Sequence, residues 1–266
     1  MNNNTNIYFN KKFNNNLAKQ LKKNFLNKKD FKIILKNFDN NPKKLKKKIK
    51  ILANLLGKIL PQNKSGQKFV EVKPKANLIK KLSTKKKKQL LRYHQTNLGG
   101  SIHSDGPQLD TPPNYVLMGC LKQAEKGGYS IITYANKVYD FLKRKKPNYF
   151  NILKQKFLFE RRGFDFPNQN IFKKPIFEKN KKIFRFRYLR EYIEEAYNIK
   201  NKKLKSEQIN ALNYLDSLIE NKRFQKIYKL NRGDVIILNN NILAHGRTKF
   251  SLGSTEQRAL MRVWVK

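Results

Sequence analysis

GDVIILNNNILAHGR, residues 233–247, carries an apolar run, three asparagines, a second short apolar run, and then a histidine followed by glycine. The β-branched run VIIL, bounded by turn formers, predicts a strand. His245 then stands at a strand end, a place that can open on a cavity. Similar apolar runs recur from residue 69 onward, in YVLMGCL, YSIITYA and ALMRVWV, each separated by Gly, Pro or Asn signals. Helical spacing interrupts them at NKVYDFLKRKK, YLREYIEEAY and SEQINALNYLDSLIEN, the last with Ile209, Leu212, Leu215, Leu218 and Ile219 on one face. The expectation is a mixed, β-rich core with helices packed outside it.

Upstream the texture differs. Residues 1–16 are low-complexity and predict a flexible end. Between Asn41 and Leu60, the positions Leu45, Ile49, Leu52, Leu55, Leu56 and Ile59 recur at three- and four-residue spacing among lysines, with Pro42 suited to a first turn and Gly57 and Pro61 marking an end. This predicts an amphipathic helix whose apolar face covers a core, a membrane surface being the alternative. The chain divides on this reading into a basic N-terminal segment, 1–68, with amphipathic helices packing on the core, and a main domain, 69–266, with a helical insertion around 136–229. The single cysteine, Cys120, sits in the apolar stretch VLMGCL and reads as a core residue. No stretch is apolar enough for a membrane span and no secretory signal is visible, so a soluble, cytoplasmic protein is expected, with homo-oligomerisation left open.

Lys and Arg number 60 against 18 Asp and Glu, a net charge of +42. Such a balance raises nucleic acid or another polyanion as a partner. The lysines are dispersed among Asn, Ile, Phe and Tyr, however, the composition an AT-rich genome would produce. A diffuse background with no specific nucleic-acid site is the expectation.

SIHSDGPQLDTPP, residues 101–113, contains one of three histidines in the chain. His103 and Asp105 lie two apart and on a strand would share a face. A third ligand would come from His245. Two histidines and a carboxylate form the facial triad of non-haem Fe(II) sites; on spacing alone, satisfied structural histidines remain the alternative. His94, in RYHQTNLGG, reads as a pocket-wall or core residue.

The context of both half-sites adds to this. HSDGPQLDTPPNYVLMGCLKQAEKGGYS, GDVIILNNNILAHGR and QRALMRVW together resemble the TauD/TfdA-like (taurine dioxygenase) family of Fe(II)/2-oxoglutarate-dependent oxygenases. The resemblance covers residues 93–135 and 230–266, with the HxD, the double proline, the GGxS element, the distal histidine and the RxxxR pair in family order. It implies a double-stranded β-helix (jelly-roll) core with flanking α-helices. It also implies Fe(II) held by His103, Asp105 and His245, with 2-oxoglutarate and O₂ as co-substrates and a 2-oxoglutarate carboxylate gripped by Arg258 with help from Ser130. Arg262 would either read an anionic group of a small-molecule substrate or brace the pocket, paired with an acid such as Glu160 or Glu191. Arg187 and Tyr188, in FRFRYLREYIEEAY, are candidate substrate residues with a core or surface role as the alternative, and ERRGF at 160–164 is weighed in the same way. The implied reaction is hydroxylation of an unactivated C–H bond with release of succinate and CO₂. Two rivals remain at this point: an oxygenase acting on nucleic acid or a protein side chain, and a non-catalytic polyanion binder. One departure from the family is Asn239 followed by Asn240, where many relatives have Asp-Asn, so a carboxylate that orients nearby groups is missing.

The dispersed charge makes a prediction. Binding to DNA or RNA should be weak and vanish as salt rises, since nonspecific phosphate contacts are lost with added counterion. Filter binding across a salt series checks this, and tight sequence-selective binding near physiological salt would contradict it.

Overall fold

The computed structural model describes residues 5–9, 16, 19–20, 23, 32–81, 95–161, 170–181, 183–252 and 257–266. His94 and residues 162–164 lie outside these, as does most of 1–16. The strands are β1 (Thr5–Phe9), β2 (Lys32–Lys36), β3 (Ile59–Leu60), β4 (Phe69–Val72), β5 (Gly100–His103), β6 (Tyr115–Lys122), β7 (Ser130–Tyr134), β8 (Lys156–Glu160), β9 (Ile171–Pro175), β10 (Phe177–Lys179), β11 (Phe184–Phe186), β12 (Gln225–Tyr228), β13 (Val235–Asn239), β14 (Leu243–Arg247) and β15 (Ala259–Val265). The helices are α1 (Pro42–Leu56), α2 (Ala76–Lys81), α3 (Ala135–Lys145), α4 (Pro147–Leu153), α5 (Arg190–Ile199) and α6 (Ser206–Ile219).

Two sheets carry the fold. The larger runs β1-β2-β13-β6-β15-β3, with β4 also on β15, and the smaller runs β12-β7-β14-β5. Period-two alternation explains why three layers form around them. In β6, Val116, Met118 and Cys120 point to the interior between the sheets, while Leu117 and Leu121 point outward to α1. Ile236 and Leu238 of β13, with Leu260 and Trp264 of β15, complete the interior; Val235, Ile237, Met261, Val263 and Val265 meet α1. The result is the jelly-roll core that the resemblance implied. Cys120 is fully buried in that interior, and burial pushes its thiol up to about 12.

α1 starts where the sequence placed it. The Asn41 side chain accepts from the backbone N–H groups of Lys43 and Lys44, and Pro42 opens the first turn. Leu45, Ile49, Leu52, Ala53 and Leu56 are buried against the sheet, each leucine-sized side chain contributing about 1.5–3 kcal/mol. The helix stops at Leu56, earlier than the periodicity suggested, and Ile59 belongs to β3 instead. Gly57, one of the two end signals in the sequence, caps it; beyond it Lys58 and Lys266 exchange backbone hydrogen bonds of 3.1 and 2.8 Å, and a Cβ on Gly57 would lie 2.1 Å from the Lys266 carbonyl oxygen.

The 1–68 segment is therefore not simply a cover. β2 pairs with β13, and β3 pairs with β15, so strands from this segment extend the larger sheet. Residues 136–229 likewise hold more than helices, since β8 pairs with β9 and β10 with β11. α3 to α6 and these hairpins share a third apolar cluster on the outer side of the smaller sheet. In α6, Leu212, Leu215, Leu218 and Ile219 are buried as expected, but Ile209 is 38% exposed and Ala211 is buried on that side. Among the described residues, no helix is long and apolar enough to cross a membrane.

Gly119 faces α1 and leaves no room for a side chain. A Cβ there would lie 2.1 Å from Cδ1 of Ile49, itself fully buried. Gly119→Ala should lower the unfolding free energy by about 1–3 kcal/mol through overpacking. In an Ile49→Ala background the same change should cost clearly less, as measured by urea denaturation. An equal cost in both backgrounds would show that this contact is not the cause.

Candidate active site

β5 and β14 are antiparallel neighbours in the smaller sheet, and their register sets His103 opposite His245. The two imidazole centroids are 4.8 Å apart. His103 Nδ1 lies 2.6 Å from the Ser101 carbonyl oxygen. A carbonyl only accepts, so the proton sits on Nδ1 and Nε2 keeps its lone pair. The Nε2 atoms of His103 and His245 lie 3.8 and 3.7 Å from the two carboxylate oxygens of Asp105.

Asp105 follows the end of β5, in a turn held at several points. Gly106 takes φ +66, and a side chain there would strike Pro113 of the double proline, with its Cβ 2.7 Å from the ring. The Asn240 side chain accepts from the Asp105 backbone N–H at 2.8 Å and donates to the carbonyls of Asp105 and Pro113 at 2.9 Å each. Asn240 thus orients the Asp105 backbone with an amide. The neighbouring Asn239 caps the turn by accepting from the Asn241 N–H.

The Asp105 carboxylate is 3% exposed. Its Oδ1 accepts from Arg262 Nη1 at 2.9 Å, and its Oδ2 is buried with no hydrogen-bond partner. Burial alone would raise its pKa, but the Arg262 charge and the two histidines outweigh burial and hold it well below the usual carboxylate range. Burial dominates at His245 and pushes it down to about 3, so its imidazole is neutral at pH 7. A buried carboxylate with an oxygen free of hydrogen bonds and two imidazole Nε2 atoms beside it fits a divalent transition metal. Among the described residues, His103, Asp105 and His245 form the one such cluster, with their ligand atoms all within 4.8 Å of one another.

The cluster lines a cavity of about 420 Å³ between the sheets, together with Ser130, Arg247, Arg258 and Arg262. Arg258 is 4% exposed; its Nε donates to Gln123 Oε1 at 3.1 Å, and Gly128, at φ +70, leaves room for it, since a Cβ there would lie 3.0 Å from the Arg258 Cδ and Nε. Ser130 opens β7, lines the same cavity and is also buried. Arg262 faces inward between Leu260 and Trp264. Its partners are Asp105 and Gln62, whose Oε1 accepts from Nε at 2.7 Å, rather than Glu160 or Glu191. Glu191 lines the same cavity and accepts from Ser101 Oγ at 3.2 Å.

Arg187 and Tyr188, candidate substrate residues in the sequence, do not line this cavity. The Arg187 guanidinium is 1% exposed and donates to the carbonyls of Pro107 and Leu109, both at 2.6 Å; burial draws its pKa down to about 10, still charged at neutral pH. The Tyr188 hydroxyl makes a short hydrogen bond to Asp216. Arg247 and Gln62 are among the cavity residues that went unnoticed in the sequence. Arg247 stands two after His245, so strand alternation already put it on the same face; its Nη atoms donate to the carbonyls of Leu98 and Thr96 at 2.8 and 2.6 Å. Gln62 gave no signal.

Comparison with known proteins bears on this arrangement. The family model described as taurine catabolism dioxygenase TauD, TfdA family matches residues 16–264. Gamma-butyrobetaine dioxygenase from Homo sapiens, and that from Pongo abelii, are each 29% identical over 164 residues, which is 60% of this chain and 42% of theirs. The chain therefore spans about two fifths of the length of these curated relatives. Among solved structures, an asparagine oxygenase in complex with Fe(II), 2S,3S-3-hydroxyasparagine and succinate is similar with a TM-score of 0.74 at 14% identity, over 95% of this chain and 80% of that one. The non-heme iron oxygenase OrfP, in complex with Fe and alpha-ketoglutaric acid, gives 0.69 at 11% identity, over 96% and 81%. At such identities the structures speak for the fold, and the family match runs through both histidine strands and the C-terminal arginines: the chain belongs to the taurine catabolism dioxygenase TauD, TfdA family.

Proposed function

We propose that this protein is an Fe(II)/2-oxoglutarate-dependent dioxygenase that hydroxylates a C–H bond of a small, anionic organic substrate, releasing succinate and CO₂. The observation that carries the reading is the buried Asp105 carboxylate against both histidines, with Oδ1 3.8 Å from His103 Nε2, and Oδ2, which has no hydrogen-bond partner, 3.7 Å from His245 Nε2. Bound there, Fe(II) would supply the oxidising chemistry with 2-oxoglutarate and O₂. The solved relatives hold Fe with alpha-ketoglutaric acid or succinate, which supports the same co-substrate here.

The chain's own residues bind, orient and exclude water. His103 is fixed in one tautomer by the Ser101 carbonyl, and Asp105 is kept ionised by Arg262. Arg258 is assigned to the far carboxylate of 2-oxoglutarate, because a guanidinium offers a fork of donors and Ser130 lines the same cavity. An anionic substrate group is assigned to Arg262 and to the indole N–H of Trp264, a buried donor with no partner that lines the cavity beside it. The Arg262 guanidinium carbon lies 5.1 Å from the Trp264 ring centroid. The Gln108 Oε1, also buried and partnerless on the cavity wall, suits a donor elsewhere on the substrate. A cavity of about 420 Å³ matches a small molecule.

Two outcomes test this. A panel of small organic acids, scored by succinate release with Fe(II) and 2-oxoglutarate, should yield at least one substrate, and Asp105→Ala should abolish turnover while the protein keeps its cooperative melt. Full iron-dependent turnover by Asp105→Ala would contradict the metal assignment. Arg258→Ala should weaken 2-oxoglutarate by about a hundredfold or more, since losing one partner of a buried charge pair costs about 3–5 kcal/mol. Calorimetric titration of 2-oxoglutarate giving equal affinity in wild type and variant would remove Arg258 from this role.

A further inference from the structure

Residues 186–188 join β11 to α5 and touch both halves of the metal-ligand cluster through the backbone. The Phe186 N–H donates to the Asn241 carbonyl at 2.9 Å, in the turn that leads into the His245 strand. Tyr188 makes a reciprocal pair with Ser104, the residue between His103 and Asp105: the Ser104 N–H donates to the Tyr188 carbonyl at 2.9 Å, and the Tyr188 N–H donates to Ser104 Oγ at 3.0 Å. Arg187 then holds the loop beyond Asp105, through the carbonyls of Pro107 and Leu109 at 2.6 Å and that of Asp110 at 3.4 Å. Its own N–H donates to the Ile176 carbonyl at 2.8 Å.

A fully buried guanidinium whose nearest partners are loop carbonyls is costly unless those carbonyls are held where it needs them. The constraint is mutual, so the loop is fixed as long as the arginine is. The far end is anchored too, because the Tyr188 hydroxyl bonds Asp216 of α6, and Arg190 Nη1 pairs with the same carboxylate at 3.0 Å. Leu189, Glu191 and Tyr192, next in the chain, line the cavity.

We propose that residues 186–188 are a strap that fixes the loop carrying Asp105, with Arg187 as its positioning residue, and that the strap links the cavity-lining start of α5 to the metal-ligand cluster. The proposal rests on the reading of that cluster as a metal site. It places no substrate contact on Arg187 or Tyr188. Their task is to hold the Asp105 loop in the shape that sets its carboxylate against the two histidines.

The test uses the full chain, with Arg187→Met, Arg187→Lys and Ser104→Ala as variants. In the metal-free protein, hydrogen exchange at residues 104–110 should be faster in Arg187→Met than in wild type, with β6 and β13 unchanged. Titration with Co(II) should show about 10–100-fold weaker binding, as for loss of other groups that orient metal ligands, together with an altered visible spectrum. Arg187→Lys, which keeps one donor cation, should recover part of both. Ser104→Ala, a milder change, should move both readouts the same way by less, and it decides the matter if Arg187→Met does not fold. Unchanged exchange at 104–110 with wild-type Co(II) affinity, in whichever of these variants folds, would overturn the strap. Failure of wild type to bind Co(II) would instead count against the metal reading, and the exchange comparison would still decide whether the strap holds the loop.

Discussion

The pairing of β5 with β14 is the constraint on which the site depends. It sets two histidines, 142 residues apart in the chain, directly across one antiparallel ladder. Period two then fixes what else can face the same interior: Arg247 follows His245 on one face, and Leu260, Arg262 and Trp264 of β15 approach from the other sheet. A shift of one residue in the β5–β14 register would turn His245 away from His103 and out of the cavity. The flanking layers protect that register. α1 covers the outside of the larger sheet, and the helices and hairpins of 136–229 cover the outside of the smaller one.

Electrostatics inside the cavity are settled residue by residue. Three buried or nearly buried arginines line it, a load that would be costly if left uncompensated. Arg247 is held by the carbonyls of Thr96 and Leu98, Arg258 contacts Gln123, and Arg262 shares its donors between Gln62 and Asp105. The Arg262–Asp105 pair does the most. It keeps the carboxylate ionised despite full burial and occupies Oδ1, while Oδ2, 3.7 Å from His245 Nε2, has no hydrogen-bond partner. An arginine expected to meet an external anion is thereby also part of the ligand cluster's own charge balance.

Much of this was legible in the sequence because it obeys local periodicity. β6, β13, β14 and β15 were readable from apolar runs, α1 and α6 from helical spacing, and the ligand trio from HxD spacing with a histidine at a strand end. What escaped has a common physical origin in long-range or backbone-mediated contacts. Gln62 supports Arg262 from 200 residues away, and nothing in its neighbourhood marks it. Arg187 and Tyr188 were candidate substrate residues because they fall near where substrate residues often lie in the family. Their partners are loop carbonyls, a neighbouring backbone and Asp216, and a carbonyl leaves no trace in a sequence. The pairing of Lys58 with Lys266, from the two ends of the fold, is of the same kind. Asn240 was noticed only as a departure from a family pattern, yet its amide both donates to and accepts from the Asp105 backbone.

The central claim is that Asp105 offers one oxygen to a metal and the other to Arg262. The most direct measurement is anomalous diffraction from crystals of the protein grown anaerobically with Fe(II). The account predicts a single strong peak among His103 Nε2, His245 Nε2 and Asp105 Oδ2, with Arg262 still bonded to Oδ1. A peak elsewhere, or one at this cluster with Arg262 displaced from Asp105, would contradict it.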